Sequence, residues 1–422
     1  MAAVGILVAA LVFILGLFPR LNSADDLLND LEPAFQEERV EGARAGVTMV
    51  SNITDLAEPI TTESGTAPAE VQGLVAFVSE QSGLPPAAVL DALQTNFPHT
   101  TDLLLALPLS EVTAELPKLV AFLSETLKLP PEEVTAAIAQ NFPGLAQVIT
   151  NLPKVTDGFD QVPGTENLTR FDGSQVSSVP DVRDYFAEDV IPILETQQDN
   201  FDSLNGLPGG PALIPPLLLL LGIVVAIFGF VMSRASAETR GAPAPWAVVT
   251  VVGIVVCVLV VGLLQLFSRL DDGQEVLDNA EPAFVPERVE GARAGINMVS
   301  VITDTFDPIT TDSGTAAAEV PELVAFVSET SGLPPDAVLA ALETNFPHTT
   351  DLLQALPLSE VVAELPQLVA FLADTLKISE AEVVAAVEEN FPGLAQVIGA
   401  APKVTGGWDQ VPGTEGMTRF DG

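Results

Sequence analysis

The chain has 422 residues and a formal net charge of -41, although 48% of its residues are hydrophobic. So negative a surface repels nucleic acid and anionic lipid headgroups, which excludes DNA- and RNA-binding functions and leaves cations or basic partners open. The single cysteine, Cys257, excludes a disulfide within the chain, so each folded part depends on its packed core.

An uncharged apolar stretch near the N-terminus, Ala2–Phe18, is the first predicted element. At 17 residues it is marginal for a helical membrane span, and a cleaved signal peptide is the alternative interpretation. It lacks a basic start, and Leu21–Ala24 is a poor cleavage site, so we interpret it as a retained anchor. Two further uncharged stretches, Ala212–Met232 and Trp246–Phe267, have the length that crosses a bilayer as helix.

The short loop Ser233–Pro245 carries Arg234 and Arg240, whereas Arg20 and Arg269 stand alone at the opposite ends of the spans. The positive-inside rule therefore predicts a cytoplasmic loop and a multi-pass plasma-membrane protein with extracytoplasmic modules. The predicted order is a span at 2–18, module 1 at 19–211, a span at 212–232, the loop at 233–245, a span at 246–267 and module 2 at 268–422.

The two modules contain a duplicated sequence. Residues 32–173 align with residues 281–422 at a constant offset of 249, and most positions are identical. Each copy is long enough to bury a core of its own, so the sequence predicts two copies of one module. Copy 2 stops at Gly422, the counterpart of Gly173, which favours a fragment of a longer chain over a complete second module.

A smaller repeat lies inside each copy. The run "LVAFVSEQSGLPPAAVLDALQTNFP" from Leu74 returns 45 residues later from Leu119, and copy 2 repeats both from Leu323 and Leu368. The sequence thus predicts four helical sub-repeats, at about 70–108, 115–153, 319–357 and 364–402.

Proline marks the predicted helix boundaries in each sub-repeat. We expect the first helix to begin near Pro117, Pro321 or Pro366, because the first helical position needs no N–H donor. The "LPP" ending at Pro86 starts a second helix, and Pro98 ends it. In the first sub-repeat a third, short helix is closed by Pro108.

One sub-repeat replaces the proline pair with "SEAE" at Ser379–Glu382, which is a capping box and predicts the same helix start. The flanks are also predicted helical, since Val40, Ala43, Val47 and Val50 follow a helical spacing. A return helix at about 180–205 leads towards the second apolar stretch, and we expect it to pair with the first flank as a stalk. The predicted fold class is therefore an all-α membrane protein.

Catalytic motifs for nucleotide binding, zinc proteolysis or serine hydrolysis are absent from the sequence. The only two histidines, His99 and His348, occupy the same position in the two copies. His99 and Asp102 together could bind a cation, but two ligands make a weak site. The favoured interpretation of His99 is a polar residue near a helix start. "TDSGTA" resembles the D-[ST]-G-[ST] loop of aspartic proteases, which would imply a catalytic Asp312 and a β fold. The counterpart of Asp312 is Glu63, so we expect no such activity.

Oxygen ligands for calcium collect in the loop 157–173 and in its copy. The EF-hand spacing is absent, so calcium is a weak prediction beside a packed surface loop. The candidate ligands are Asp160, Glu166, Asp172, Asp409, Glu415 and Asp421.

These features predict a non-enzymatic multi-pass membrane protein that presents tandem helical modules for protein interaction or envelope scaffolding. The alternative is a sensor or accessory subunit of a membrane export or envelope complex, although the cytoplasmic loop is too short for a signalling domain. A hydrolase is the least favoured class. The predicted partners are the lipid bilayer and a protein, with a divalent cation as a minor possibility, and no cofactor is expected.

Overall fold

The computed structural model describes residues 34–61, 66–205, 214–238, 281–310 and 315–414, together with isolated positions at 10–19, at 32 and at 272–279. Within these residues the regular elements are helices, and the extended pairing is a single bridge between Thr169 and Gln175. The predicted all-α class is confirmed for this part of the chain.

The helices follow the repeat. In copy 1 they are α1 Glu37–Thr61, α2 Ala67–Ser82, α3 Pro86–Asn96, α4 Pro98–Ala106, α5 Leu109–Leu127, α6 Pro131–Asn141 and α7 Pro143–Phe159. The connecting region holds α8 Val179–Asp184, a π-helical turn Tyr185–Val190, α9 Ile191–Asn205 and α10 Ile214–Glu238. After a 3-10 turn at Glu281–Phe284, copy 2 holds α11 Pro286–Thr310, α12 Thr315–Ser331, α13 Pro335–Asn345, α14 Pro347–Ala355, α15 Leu358–Leu376, α16 Glu380–Asn390 and α17 Pro392–Trp408.

Each sub-repeat is a set of three consecutive helices. We name them 1A (α2–α4), 1B (α5–α7), 2A (α12–α14) and 2B (α15–α17). In 1A, 1B and 2A the middle helix begins at the second proline of the pair, as at Pro86, and in all four sub-repeats it ends at the asparagine of "NFP". The phenylalanine that follows leaves the helical conformation, with φ -139° and ψ 61° at Phe97, because the next proline disfavours helix at that position.

The predicted capping box is confirmed at α16. The Ser379 side chain accepts a hydrogen bond from the backbone N–H of Glu382, and the Glu382 carboxylate accepts one from the backbone N–H of Ser379. Two donors that the helix start would leave unpaired are thereby satisfied. The flanks are helical as well, since α1 covers the valine-spaced segment and α8 to α9 cover the predicted return helix.

The predicted helix starts at Pro117, Pro321 and Pro366 are wrong. Pro117 lies inside α5, which begins eight residues earlier at Leu109, and the other two prolines lie inside α12 and α15. A proline inside a helix costs about 3 kcal/mol, because one backbone hydrogen bond is lost. The apolar stripe of α5 continues across it, with Leu109, Val112, Leu116, Leu119 and Leu123 buried. Each buried leucine contributes about 1.5–3 kcal/mol, so burial of the stripe outweighs the break.

The chain divides into two compact units. One unit consists of Arg44–Asp189 with Pro286–Glu415, so it contains all four sub-repeats, and we call it the paired-repeat unit. Its core is built from helices of both copies, since α7 packs against α11 and α4 packs against α14. The sequence led us to expect a separate core in each copy, whereas in the structure the two copies share one core.

The other unit consists of Met1–Ala43, Val190–Val285 and Gly416–Gly422. Among its described residues, Phe35, Phe201 and Val276 form a buried cluster. The rings of Phe35 and Phe201 stack with centroids 4.5 Å apart. Three segments that are distant in sequence therefore meet at this cluster.

Membrane-spanning character is not evident in any one described helix, since none is both long and apolar enough to cross a bilayer alone. One bent pair, α14 with α15, meets the requirement only jointly, and its axes differ by 82°. Its leucines Leu352, Leu365 and Leu372 are buried in the shared core. Of the predicted spans, 246–267 and most of 2–18 lie outside the described residues, while 212–232 largely coincides with α10.

Candidate functional site: the interface between the two copies

Four glutamates hold the two copies together, and they occupy the same position in the four sub-repeats. They are Glu70, Glu115, Glu319 and Glu364. Each carboxylate accepts hydrogen bonds from the start of the helix that follows "NFP" in the other copy. The first N–H groups of a helix have no partner within the helix and carry partial positive charge, so a carboxylate is their natural acceptor.

Two of these glutamates cap the long third helices. Glu319 of 2A accepts from the backbone N–H groups of Gly144 and Leu145, at 3.1 and 2.8 Å. Glu70 of 1A does the same for Gly393 and Leu394 in 2B, at 3.2 and 2.9 Å. Glu319 is only 7% exposed, so its charge is compensated mainly by these donors.

The other two cap the short third helices. Glu115 of 1B accepts from both the backbone N–H and the hydroxyl of Thr349, each at 2.8 Å. Glu364 of 2B accepts from the backbone N–H groups of Thr100, at 2.8 Å, and His99, at 3.3 Å. Each glutamate therefore reaches across the interface, and no two of the four accept from the same donor.

Phenylalanine pairs accompany the carboxylates. The "NFP" phenylalanine of each sub-repeat meets, edge to face, a phenylalanine from the first helix of a sub-repeat in the other copy. The ring centroids lie 6.0 Å apart in Phe77–Phe391, 5.4 Å in Phe97–Phe371, 5.5 Å in Phe122–Phe346 and 5.9 Å in Phe142–Phe326. Such pairs contribute about 0.5–1.5 kcal/mol beyond the burial of their area.

The pairing is reciprocal. Sub-repeat 1A exchanges a glutamate cap and a phenylalanine pair in both directions with 2B, and 1B does so with 2A. We call each combination of glutamate cap and phenylalanine pair a Phe–Glu lock. Four locks related by the duplication give the two copies the arrangement of an isologous dimer within one chain.

Two glycines permit the close approach at the long third helices. A Cβ on Gly144 would lie 2.1 Å from Thr315 Oγ1 and 2.8 Å from the backbone N of Ala316. A Cβ on Gly393 would meet Thr66 and Ala67 in the same way. The corresponding position in 1A and 2A is histidine rather than glycine.

Those two histidines also bond across the interface. Nδ1 of His99 lies 3.0 Å from the carbonyl oxygen of Gln354, and Nδ1 of His348 lies 3.0 Å from that of Leu105. A carbonyl oxygen only accepts, so Nδ1 carries the proton and donates in both cases. Both histidines stand at the start of a helix, as the favoured interpretation of the sequence has it.

The aspartates one turn beyond the histidines have raised pKa values. Burial raises the pKa of Asp351 to about 6, and the charge of Asp102 adds to the effect. Burial also raises the pKa of Asp102, although the nearby His99 opposes the rise. Two acidic groups of the two copies therefore influence each other where α4 packs against α14.

The weak catalytic and metal candidates fall in different places. Asp312 and its counterpart Glu63 lie outside the described residues, as do Glu415 and Asp421. Within the part of the chain that the structure describes, no group of three or more metal-binding side chains comes together. His99 and Asp102 therefore have no third ligand beside them in that part of the chain.

Two of the described calcium candidates, Glu166 and Asp172, accept hydrogen bonds within their own loop. Glu166 accepts a hydrogen bond from the backbone N–H of Gly164, and backbone bonds lower the pKa of its carboxyl. Asp172 accepts from the hydroxyl and backbone N–H of Ser174, which likewise lower its pKa. Asp160 and Asp409 are exposed at the ends of α7 and α17. The calcium site stays a prediction.

Sequence reasoning missed the glutamates and the first-helix phenylalanines of the locks. The sequence does contain a signal, because these glutamates and phenylalanines recur at both repeat offsets, 45 and 249 residues, while most neighbouring polar positions differ between the sub-repeats. An acidic residue that recurs beside an apolar stripe indicates a buried role, but the sequence does not say which helix start it caps.

No protein-family model matches the chain, and neither a curated protein nor a solved structure matches it.

Proposed function

We propose that this chain is a non-enzymatic, multi-pass membrane protein whose two copies form a single acidic scaffold for a protein partner outside the membrane. The observation that carries the proposal is the set of four reciprocal Phe–Glu locks. The carboxylates and histidines of the interface, which are buried or half-buried, are engaged with helix starts and carbonyl groups of the other copy. Polar groups used in this way fix one arrangement of the copies, which is what a scaffold needs.

The helix α10 supports attachment to a bilayer. It covers most of the second predicted span, and large apolar side chains lie on its surface, with Leu220 and Ile227 each 59% exposed and Phe230 also exposed. Exposed apolar area costs about 25 cal/mol per Å² in water, and a hydrocarbon environment removes that cost. Arg234 near its end accords with a cytoplasmic loop.

The charge of the chain supports a basic partner. A net charge of -41 attracts positively charged surfaces and accelerates their encounter. Binding that depends on such steering weakens as salt rises, because ions screen exposed charges over about 8–10 Å at 0.1–0.15 M.

Protease accessibility in intact spheroplasts tests the topology. One epitope tag would be placed at the exposed turn of Gly173 in copy 1, and another at the exposed turn of Gly332 in copy 2. We expect both tags to be lost to external protease while a cytoplasmic control protein survives. A tag in the loop Ser233–Pro245 should be protected.

Protection of both copies with cleavage of the loop would overturn the extracytoplasmic scaffold. Loss of one copy's tag with retention of the other would contradict the shared core, since a single compact unit cannot lie on both sides of a membrane. The alternative role, as a sensor or accessory subunit of an export or envelope complex, stays a prediction.

A further inference from the structure

The two short third helices, α4 and α14, pack against each other in opposite directions. Each helix has nine residues, and Nδ1 of the histidine at its second position lies beside the carbonyl oxygen of the eighth residue of the other helix. The two pairs are His99–Gln354 and His348–Leu105. In this register the fifth residues, Asp102 and Asp351, lie opposite each other. Each aspartate is three residues beyond its histidine, so both side chains belong to the helix face that meets the other copy.

Carboxylates surround this aspartate pair. Asp102 is 6% exposed and Asp351 is half-buried, and within the described residues neither carboxylate forms a salt bridge with a lysine or an arginine. Other helices bring three further carboxylates that act on the pair, Glu115 on α5, Glu343 on α13 and Glu364 on α15. The remaining described neighbours, α2, α3 and α12, contribute no charge that acts on it. His99 and His348, on the helices of the pair itself, are the groups that oppose these negative charges.

Two carboxylates in this position repel each other when both are ionised. The repulsion is felt strongly because the contact between the helices is partly closed to water. One proton reverses the interaction, since a carboxyl O–H then donates a short hydrogen bond to the ionised carboxylate. Both carboxyl pKa values are raised, as such a contact requires, and burial followed by the charge of Asp102 raises the pKa of Asp351 to about 6.

The same contact holds an unsatisfied polar group. The hydroxyl of Thr100, a residue that is 4% exposed, is the one buried side-chain polar atom without a hydrogen-bond partner among the described residues. The hydroxyl of its counterpart Thr349 donates to Glu115 at 2.8 Å. Buried polar groups normally have partners, so the interface is least satisfied beside the aspartate pair and opens there at the lowest cost.

We propose that Asp102 and Asp351 form a proton-operated latch between the two copies. When the two carboxylates share one proton, α4 and α14 stay packed, and when both are ionised this contact opens while the copies stay joined elsewhere. The caps that Glu70 and Glu319 place on the long third helices involve neither aspartate, so they keep the copies together. The latch belongs to the paired-repeat unit itself, so it goes beyond the proposed scaffold function and does not depend on it.

Hydrogen–deuterium exchange of the purified full chain in a mild detergent tests the latch. Exchange would be followed by mass spectrometry at pH 4.5 and pH 7.0, with exposure times scaled to the intrinsic exchange rates. Below the ordinary pKa of 3.8 the closed and opened pairs both hold the proton, and above about 6 neither does, so opening increases as pH rises between these values. This difference permits a change of at most roughly a hundredfold, and we expect about tenfold because Asp351 is only half-buried.

The expected result is a fall of about tenfold in the protection of α4 and α14 at the higher pH, while α7 and α17 keep theirs. Asp351→Asn keeps the shape of the side chain, removes its titration and leaves an amide that can donate to Asp102. Its protection should therefore be equal at the two pH values, and Asp102→Asn should behave alike from the other copy. The matched control is Asp91→Asn on α3, an exposed aspartate that does not act on the pair, and it should keep the tenfold difference.

Three results would overturn the latch. The first is equal protection of α4 and α14 at both pH values in the unchanged chain. The second is a tenfold difference that survives in either asparagine variant; because the measure is the ratio between two pH values, a variant that is less protected throughout still gives an answer. The third is an equal loss of protection in every helix of the paired-repeat unit, since the proton would then control unfolding of the whole unit rather than this contact.

Discussion

Removing one glutamate of a Phe–Glu lock should destabilise the whole paired-repeat unit. Glu319 is buried at the interface, and its two carboxylate oxygens satisfy the backbone N–H groups of Gly144 and Leu145. In Glu319→Ala both donors lose their partner inside the protein. The perturbation therefore acts on copy 1, although the substituted residue belongs to copy 2.

The magnitude follows from these contacts. Each buried donor without an acceptor costs about 1–3 kcal/mol, and loss of the favourable charge at a helix start adds up to about 1 kcal/mol. We expect a loss of about 3–5 kcal/mol, which corresponds to a fall of roughly 10 °C in Tm for a unit of this size. Glu319→Gln keeps one carbonyl acceptor and should lose less, about 1–2 kcal/mol.

Thermal unfolding of the purified full chain, followed by circular dichroism, measures this difference. The matched control is Glu322→Ala on the same helix, where the side chain is exposed and the expected change is within about 0.5 kcal/mol. Equal Tm values for Glu319→Ala and Glu322→Ala would refute the reasoning, because the cap would then contribute nothing.

Three other predictions concern the same interface. Gly144→Ala should lower the Tm while Gly399→Ala does not, since only the first Cβ would collide with Thr315, and equal effects would contradict the close approach. The pKa of Asp351 is raised from 3.8 to about 6, so the folded state takes up a proton that the unfolded state does not, and stability should fall as pH rises from about 4 to 6. In Asp351→Asn the difference between Tm at pH 4.5 and at pH 7.5 should shrink; an unchanged difference would assign the pH dependence to other groups. Cleavage of an engineered protease site in the loop Ser233–Pro245 should leave the two halves together on gel filtration, whereas separation of the halves would mean that each copy folds alone.

Local sequence rules were sufficient where one short contact sets the structure. The capping box at Ser379 and the stop at the proline after Phe97 depend only on residues within one turn, and both are as predicted. The rule failed at Pro117, where a local preference for the first helical turn competes with an apolar stripe that is longer than the local window.

The sequence by itself determined the helical class, most helix ends and the fourfold repetition, because hydrophobic spacing and proline act through neighbouring residues. Only the tertiary structure decided which surfaces meet. Glu70 and Glu319 look like ordinary acidic residues of a helix, and their acceptor role exists because a helix start 323 or 175 residues away along the chain lies against them. Two copies of one module can pack separately or exchange contacts with the same residues, and the choice depends on the packing of the whole unit rather than on any local pattern.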